Sequence, residues 1–399
     1  MRILLGYHYY PNYVDTKSVV EARLARLRHA GIDVHPFVLT LQAPGRRLTW
    51  KELDARWKRG DRELLQMYER LANECQNYDV FINWNGINVH PEFVSQLPTF
   101  NIYGCYDDPE ATEDLSKPVA AAFDLSMIGN IAEVETYKSW GVRHAEFWPY
   151  GFRVNDYDPT LTTEKILTGE RDVEISLLCE RETPWRRERL DRIAAAFPQG
   201  HFHGRGWPRG ILPEEARVPL YQRTKVGINF HHTTGPINLR CYALPANGVM
   251  QICDNKSHLG KIYELGREVA GFDKIDEAIE LARYYLAHDD ERRRIAAAGF
   301  ERVTRDYNEV SVFRLVEKYA APLLAQKAKV AKDTAPIFLS NQRRKTTVRR
   351  ACHAAMTPVR RLAGVAKAGV HRAAIVVGKM LIRDAEKRRR IGNRLFAGK

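Results

Sequence analysis

The chain alternates short apolar runs with longer amphipathic stretches, a pattern typical of a parallel α/β protein. In the amino-terminal half, the predicted strands are Ile3–Gly6, Val34–Leu39, Val80–Trp84, Phe100–Tyr103, Leu125–Ile128 and Glu146–Trp148. The predicted helices are Thr16–Ala30, Glu52–Cys75 and Ile131–Trp140. The first of these helices carries an apolar stripe at nearly helical spacing and ends at Gly31. The alternation predicts a parallel sheet with right-handed crossovers.

A second alternation follows a break in this pattern. Pro149-Tyr150-Gly151 and Asp158-Pro159 interrupt the periodicity, so we place a domain hinge there. Beyond the hinge, the predicted elements are strand Val173–Leu178, helix Pro184–Phe197, strands His201–His203, Val226–Phe230 and Val249–Cys253, and a closing helix Ser311–Leu324. We therefore predict one α/β domain over residues 1–150 and a second over residues 151–326.

Charge sets the last part of the chain apart. The 399 residues carry a formal net charge of +13, yet residues 321–399 hold 20 Lys and Arg against 3 Asp and Glu. The rest is therefore slightly acidic. In residues 359–383 apolar residues and cations fall on opposite helical faces, and Lys387–Arg390 follows. We predict a basic tail over residues 327–399. Three interpretations stay open: a partly disordered extension, an amphipathic helix on anionic lipid, or nonspecific nucleic-acid contact, the last the least favoured.

Cysteine usage and hydropathy predict a cytoplasmic protein. The six cysteines are scattered without paired spacing, as expected for reduced thiols. The opening sequence MRILLGYHYYPN lacks the long apolar run of a signal peptide. No apolar stretch approaches the roughly 18 residues needed to cross a bilayer. The tail makes the inner face of the membrane a candidate peripheral location.

The most informative motifs lie between Tyr221 and Tyr307. They are Arg240-Cys241-Tyr242-Ala243 followed by Gly248, the segment Tyr263–Val269, and Tyr284–His288 followed by Arg292, Ile295, Ala296 and Gly299. In this order they resemble the carboxyl-terminal half of GT-B glycosyltransferases, and most closely the CgeB-like (spore maturation protein-like) branch of the retaining nucleotide-sugar enzymes. The resemblance implies an α/β fold of two Rossmann-like domains with a cleft between them, plus the basic helical tail. It also implies transfer of a sugar from a nucleoside diphosphate to a glycan, lipid or protein acceptor, as in the cell envelope.

The resemblance implies donor binding in the second domain, where a diphosphate needs cations and backbone N–H groups. The candidate donor-binding residues are Gly204, Arg205, Gly206, Arg186, His231, Thr234, Gly235, Asn238, Arg240 and Glu264. Arg240 matches the arginine of the family. Arg186 and Arg187 have an equally good alternative as a solvated helix face. No metal or other cofactor is expected, because the adjacent histidines lack a third ligand at metal spacing and cations can replace the ion.

The resemblance places acceptor binding and any general base on the first domain. His8 follows the first predicted strand, and Asp107 and Asp108 follow the fourth. Paired carboxylates at a sheet edge can raise one another's pKa, which suits acid–base chemistry. The alternative for Asp108 is a helix start, because Pro109 suits a first helical turn.

Two positions depart from the family pattern. Many retaining GT-B enzymes carry two glutamates on the donor side, at the positions of Gly235 and Ala243 in this chain. Either Asn238, Asn247 or Glu264 replaces them at the ribose, or donor binding is altered or lost. A non-catalytic GT-B scaffold therefore stays open as an alternative. A transferase that acts on nucleic acid is another, suggested by the tail.

Overall fold

The computed structural model describes residues 1–9, 17–42, 45–84, 86, 88–327 and 330–347. The predicted amphipathic segment and the four-cation cluster of the tail lie outside these residues. The chain divides into two compact units, Met1–Leu339 and Ser340–Lys399. Both α/β domains belong to the first unit. Across the described residues, no helix is both long and apolar enough to span a lipid bilayer.

Six parallel strands form the sheet of the first domain. They are β1 Ile3–Tyr7, β2 Val34–Val38, β3 Val80–Trp84, β4 Phe100–Cys105, β5 Leu125–Ile128 and β6 Ala145–Phe147, in the order β2-β1-β3-β4-β5-β6. The helices are α1 Lys17–His29, α2 Trp50–Arg59, α3 Arg62–Cys75, α4 Pro91–Val94 and α5 Val134–Ser139. All six predicted strands are confirmed, with ends that shift by one or two residues. The short helix α4 was not predicted.

The predicted helix Glu52–Cys75 is wrong, because it is two helices. Gly60 ends α2 in the left-handed conformation, with φ 64° and ψ 54°, which glycine adopts without strain from a Cβ atom. Asp61 then caps α3 by accepting a hydrogen bond from the N–H of Leu64 at 3.2 Å. The stop signal and the start signal are adjacent, so the apolar periodicity runs through the break and hides it.

The second domain has a five-stranded parallel sheet. Its strands are β7 Val173–Leu178, β8 His201–His203, β9 Thr224–Asn229, β10 Met250–Cys253 and β11 Ala270–Gly271, in the order β11-β10-β9-β7-β8. The helices are α6 Thr163–Thr168, α7 Pro184–Ala196, α8 Arg217–Arg223, α9 Arg240–Ala246, α10 Lys256–Leu259, α11 Ile275–Ala287, α12 Asp289–Asp306 and α13 Glu309–Leu324. The strand order reverses at β7, between β8 and β9. In open α/β sheets such a switch point leaves a crevice at the carboxyl ends of the strands.

Helix α13 returns to the first domain, as the GT-B resemblance implies. Val312 and Phe313 are buried in the same apolar core as β1. The indole N–H of Trp148, which follows β6, donates to the carbonyl of Val312 at 3.1 Å. At the start of the helix, the buried Glu309 pairs with Arg23 of α1 at 2.7 Å. The helix therefore fastens the second domain to the first.

Lys327 and residues 330–339 belong to the first unit, although the tail was predicted to begin at residue 327. Lys327 Nζ donates to the carboxylate of Asp124 at 2.7 Å. Further on, Leu339 is buried in the core of the first domain, and the ring of Phe338 stacks on Trp57 with centroids 5.9 Å apart. The basic composition of this segment masked its few apolar residues, which are the ones that pack.

We expect Leu339→Ala to destabilise the protein by about 2–4 kcal/mol, because Leu339 is 1% exposed and truncation leaves a cavity. The matched control is Ile337→Ala, since Ile337 is two residues away and 54% exposed. The control should cost no more than about 0.5 kcal/mol. Urea unfolding of both variants measures the difference. Equal losses would show that the segment does not pack as described.

Candidate functional site

A cavity of about 420 Å³ lies at the switch point, and we call it the switch-point cavity. It is enclosed by the carboxyl ends of β7 and β8 and by the segment that follows β9. Its lining comprises Leu178, Cys179, Glu180, Arg186, His203, Gly204, Arg205, Ile211, Leu212, Arg217, Tyr221, His232, Leu239, Arg240 and Ala243. The cavity therefore brings together four of the predicted donor-binding residues: Arg186, Gly204, Arg205 and Arg240.

The lining of this cavity is strongly basic. Among the described residues, four of its lining side chains are arginines and one, Glu180, is a carboxylate. Glu180 already pairs with Arg205 at 2.5 Å, and Arg217 lies 4.0 Å from the buried Asp156 below the cavity. Of the four arginines, Arg186 and Arg240 form no ion pair with a carboxylate of the described chain. Because a sequestered cation without a counter-charge is unfavourable, the cavity is suited to an anionic ligand.

Arg186 is 4% exposed in the first turn of α7. Its guanidinium donates to the carbonyl of Phe230 at 3.2 Å and to Nδ1 of His232. The predicted solvated helix face is therefore wrong for Arg186, because this turn packs against the segment after β9. The prediction is right for Arg187, which is exposed. A guanidinium has five N–H donors, so Arg186 keeps donors beyond these two bonds.

Arg240 is the first residue of α9 and is half-buried. Its Nε donates to Oδ1 of Asn229 at 3.0 Å. Asn238 contacts the same asparagine: its Nδ2 donates to Asn229 Oδ1 at 3.0 Å, and its own Oδ1 accepts from the N–H of Cys241 at 3.2 Å. Asn238 thus supports the start of α9 and is not part of the cavity lining.

Three other residues that were predicted to contact the donor do not line the switch-point cavity. Gly206 belongs to the loop after β8, where its carbonyl accepts from Arg181 at 2.9 Å. Glu264 is exposed, pairs with Arg267 at 2.9 Å and is not part of the lining. Asn247, a predicted ribose ligand, is buried and donates to the carbonyl of Asp156 at 2.7 Å. Asn247 therefore has a role in the packing of the domain, whereas Glu264 forms an ion pair on the surface.

His231 is buried and links the loop after β9 to β10. Its backbone N–H donates to Oδ2 of Asp254 at 2.8 Å, its Nδ1 bonds Oδ1 of the same carboxylate, and its Nε2 lies 3.4 Å from Sγ of Cys241. Burial opposes the charged ring, but Cys241 and Asp254 together raise the pKa of His231 to about 9. The ligand-type atoms of His231, Cys253 and Asp254 lie within 4.8 Å of one another. Their mutual hydrogen bonds make the cluster a structural link below the cavity.

The far end of this loop contacts the first domain. Asn130, which follows β5, donates through Nδ2 to the carbonyl of Thr234 at 2.7 Å and to that of Asp108 at 3.1 Å. Gly235 has φ 103°, and a Cβ atom there would lie 2.0 Å from Oδ1 of Asn130. A side chain at position 235 therefore has no room, and the carboxyl edges of the two sheets meet at this contact.

A second cavity, of about 590 Å³, adjoins the first. Thr233, Thr234 and Asp254 line it on one side, and Trp185 of α7 on the other. His232 lines both cavities, so its ring lies at their junction. The second cavity is polar and has no buried arginine that lacks a carboxylate partner.

His8 and Asp107 are gathered around Arg47 at the carboxyl edge of the first sheet. The carboxylate of Asp107 forms an ion pair with the guanidinium of Arg47, with 2.5 Å between Oδ2 and the nitrogen. Burial, and then the charge of Arg47, lower the pKa of His8 to about 3. The His8 ring is therefore neutral near pH 7 and is a weak proton acceptor. Asp107 remains the more exposed carboxylate of the two that the sequence predicted.

Asp108 points into the first domain. It is 1% exposed, and its Oδ2 accepts a hydrogen bond from the hydroxyl of Tyr137 at 2.6 Å. Burial raises the pKa of this carboxyl group, although the bond from Tyr137 opposes the shift. The nearest helical turn begins only at Thr112, so Asp108 does not open a helix either. These contacts indicate a structural role in the wall behind the site.

We expect Asp108→Asn to gain stability relative to wild type as the pH rises from 4 to 7. The folded-state pKa lies above the unfolded value, so the native state binds this proton more tightly, and the contribution of Asp108 to stability falls as the pH rises through that window. The asparagine has no such titration and still accepts from Tyr137. Urea unfolding at several pH values should show a stability difference between the two proteins that grows with pH. A difference that is constant with pH would contradict the burial cost.

Arg217, Tyr221 and His232 are among the lining residues that were not predicted as site residues. His232 was indistinguishable from His231 in the sequence, because only the packing decides which of two adjacent rings faces inward. Arg217 and Tyr221 lie on α8, a helix that the sequence analysis did not predict.

Comparisons with known proteins find a matching family model and similar solved structures. Residues 181–315 match the family model described as glycosyl transferase-like. No curated protein sequence matches the chain significantly. Among solved structures, sucrose-phosphate synthase from Thermosynechococcus elongatus has a TM-score of 0.56 at 13% identity, over 82% of this chain and 100% of that one.

Two further structures are similar over the same extent. Anabaena HepE in complex with UDP has a TM-score of 0.51 at 11% identity, over 81% of this chain and 100% of that one. A glycosyltransferase from Rickettsia africae has a TM-score of 0.52 at 13% identity, over 82% and 99%. Similarity at this level of identity concerns the fold. The chain thus carries two parallel-sheet α/β domains that resemble those of GT-B glycosyltransferases, and the glycosyl transferase-like match lies in the second of them.

Proposed function

We propose that the chain transfers a sugar from a nucleoside-diphosphate sugar to a glycan, lipid or protein acceptor. The donor would bind in the switch-point cavity, and the acceptor would approach from the edge of the first domain that carries His8 and Asp107. We also propose that the chain belongs with the CgeB-like branch of these enzymes, on the basis of its motifs between Tyr221 and Tyr307.

One observation carries this proposal: Arg186 and Arg240 line one cavity without a carboxylate partner among the described residues. A diphosphate supplies the missing negative charge. Two forked guanidinium groups suit its oxygens, because charge-assisted hydrogen bonds are about twice as strong as neutral ones. In a transfer reaction they would stabilise the charge that develops on the leaving diphosphate. The match of residues 181–315 to the glycosyl transferase-like family supports the same assignment.

The proposed reaction uses no metal ion. Arginines can neutralise a diphosphate in place of a divalent cation, and two of the four in this cavity are not committed to a carboxylate. Transfer should therefore persist in the presence of a chelator such as EDTA. Strict dependence on an added divalent cation would contradict this part of the proposal.

A binding screen on the full chain tests the donor site. Thermal unfolding is followed with UDP, GDP, dTDP, ADP and CMP, and with UDP-glucose and GDP-mannose. We expect one nucleoside diphosphate to raise the melting temperature, because a ligand at 100 times its Kd adds about 2.7 kcal/mol. Hydrolysis of the matching nucleotide sugar, with and without acceptor extracts, then tests transfer. No shift with any nucleotide would overturn the proposal.

A non-catalytic scaffold is the second candidate, favoured by the absence of a carboxylate at positions 235 and 243. Gly235 contacts Asn130 and Ala243 packs beside Tyr221, so neither position holds a carboxylate that could contact a ribose or a sugar. The same screen separates the two functions. Nucleotide binding without turnover of any nucleotide sugar would favour the scaffold.

We also propose a cytoplasmic location, with the basic tail as a peripheral contact to anionic lipid on the inner face of the membrane. The charge of residues 321–399 supports this part. Sedimentation of the full chain with phosphatidylglycerol vesicles, at low and high salt, tests it against binding to a DNA duplex.

A further inference from the structure

We propose that His232 donates a hydrogen bond from Nε2 to an oxygen of the bound diphosphate, as a neutral imidazole whose proton position is set by Arg186. This inference rests on the proposed function, since it takes a nucleoside diphosphate as the ligand of the switch-point cavity.

The position of His232 suits this role. The residue is exposed and lines both cavities, whereas the adjacent His231 is 4% exposed and held by Asp254. On the side of the switch-point cavity, the neighbours of His232 include Arg186 and Arg240. A diphosphate held by these two arginines would therefore have the imidazole within its immediate surroundings.

The contact with Arg186 fixes which ring nitrogen carries the proton. An arginine guanidinium has only donors, so the Nδ1 atom of His232 that it contacts must be the acceptor. A neutral imidazole with an acceptor at Nδ1 carries its proton at Nε2. The Nε2–H group is the remaining polar atom of the ring, and it is the one available to a ligand.

The surrounding charges keep the ring neutral. Burial, and then Arg186, lower the pKa of His232, and His231 and Arg240 act in the same direction. Glu110, from the first domain, acts in the opposite direction and favours the charged ring. A bound diphosphate would add negative charge, but the Arg186 bond to Nδ1 would still have to break before the ring could take a second proton.

A neutral donor at this place contributes to transfer without moving a proton. When the bond between sugar and diphosphate breaks, its electron pair goes to the leaving oxygen and negative charge accumulates on the diphosphate. A preorganised N–H group stabilises that charge more than it stabilises the ground state. His232 keeps its proton throughout, so we class it with the binding groups and not with the acids and bases.

Three substitutions in the full chain test the inference. His232→Gln places an amide N–H near the position of Nε2, His232→Asn places one near the position of Nδ1, and His232→Ala removes both. Titration calorimetry measures binding of UDP and GDP, with uridine and guanosine as ligands that lack the diphosphate. We expect the Ala and Asn variants to bind the preferred diphosphate at least roughly 10-fold more weakly, the Gln variant to stay within about 3-fold of wild type, and nucleoside binding to be unchanged in all three.

The possible outcomes separate this inference from the proposed function. If wild type binds a nucleoside diphosphate and all three variants bind it equally well, the role of His232 is refuted while the donor site stands. Equal losses in the Gln, Asn and Ala variants would exclude a neutral donor at Nε2. A wild-type protein that binds no nucleoside diphosphate would overturn both.

The pH dependence distinguishes a neutral ring from a charged one. We expect the ratio of wild-type to Gln-variant affinities to stay constant between pH 6 and 8, because titration of the ligand itself cancels in the ratio. A ratio that falls as the pH rises through this range would show that a protonated imidazole binds the diphosphate, and would contradict the inference.

Discussion

Arg240→Ala is expected to lower turnover at least about 100-fold and to leave the fold intact. Its guanidinium is one of the two in the switch-point cavity without a carboxylate partner, so the proposed diphosphate would lose one of its two principal cations. The fold should tolerate the change, because Oδ1 of Asn229 keeps its bond from Asn238 Nδ2 at 3.0 Å when the Arg240 donor is removed. Nucleotide-sugar hydrolysis measures the loss of turnover, and urea unfolding measures stability.

Two variants make this experiment specific. Arg187→Ala removes a guanidinium that is exposed on α7, so it reports the effect of charge loss alone and should change turnover less than about 2-fold. Arg240→Lys keeps the charge but loses the planar fork, and its turnover should fall between wild type and the alanine variant. Near-wild-type turnover in Arg240→Ala would refute a donor role for this residue. Loss of folded protein would instead show that its contact with Asn229 is structural.

The positions of most strands were predictable from the sequence because buried parallel strands are short apolar runs, and both sheets consist of such runs. β9 was predicted as Val226–Phe230 and is Thr224–Asn229, so its end moved by one residue. That small shift matters at the edge of the sheet. The polar segment that carries the site begins where the strand ends, and Phe230 already belongs to it.

The side chains of the site were less predictable, because their exposure depends on contacts between distant segments. Arg186 lies on a highly charged helix, and its sequence neighbours Trp185 and Arg187 are both exposed. It is buried only because the loop after β9, more than 40 residues further along the chain, supplies the carbonyl of Phe230 and the ring of His232. Local periodicity carries no information about such a partner.

Positions 235 and 243 lack a carboxylate for different physical reasons. Ala243 lies in a small apolar cluster with Tyr221, Leu244 and Val249, so the neighbouring tyrosine ring packs beside its short side chain. The hydroxyl of Tyr221 is buried and without a hydrogen-bond partner among the described residues. Gly235 is different, because the contact with Asn130 excludes any side chain at that position. Ala243 therefore changes the chemistry of the cavity wall, and Gly235 changes how closely the domains approach.

Gly235→Ala is the second change from which we expect a large effect. Its backbone φ of 103° is unfavourable for any residue with a side chain, which costs about 1–3 kcal/mol. The new Cβ atom would also meet Oδ1 of Asn130 at 2.0 Å, so the loop or the first domain must shift. We expect lower stability in urea and at least a 10-fold loss of turnover, because the loop that carries His232 and Thr234 would be displaced from the cavity.

A double-mutant cycle with Asn130→Ala separates the strain in the backbone of residue 235 from the clash with Asn130. Asn130→Ala alone should be destabilising, because the carbonyls of Thr234 and Asp108 lose their donor. In the double variant the Oδ1 atom that clashes is gone, so Gly235→Ala should cost less than it does in the wild-type background. The cost that remains is the backbone strain and a close contact with Cβ of Ala132 at 3.1 Å, neither of which Asn130→Ala removes. If the two losses simply add, Asn130 is not the obstacle, and these two terms account for the glycine. A coupling of about 1 kcal/mol or more would instead show that close approach of the two domains fixes glycine at the position where the GT-B resemblance implies a glutamate.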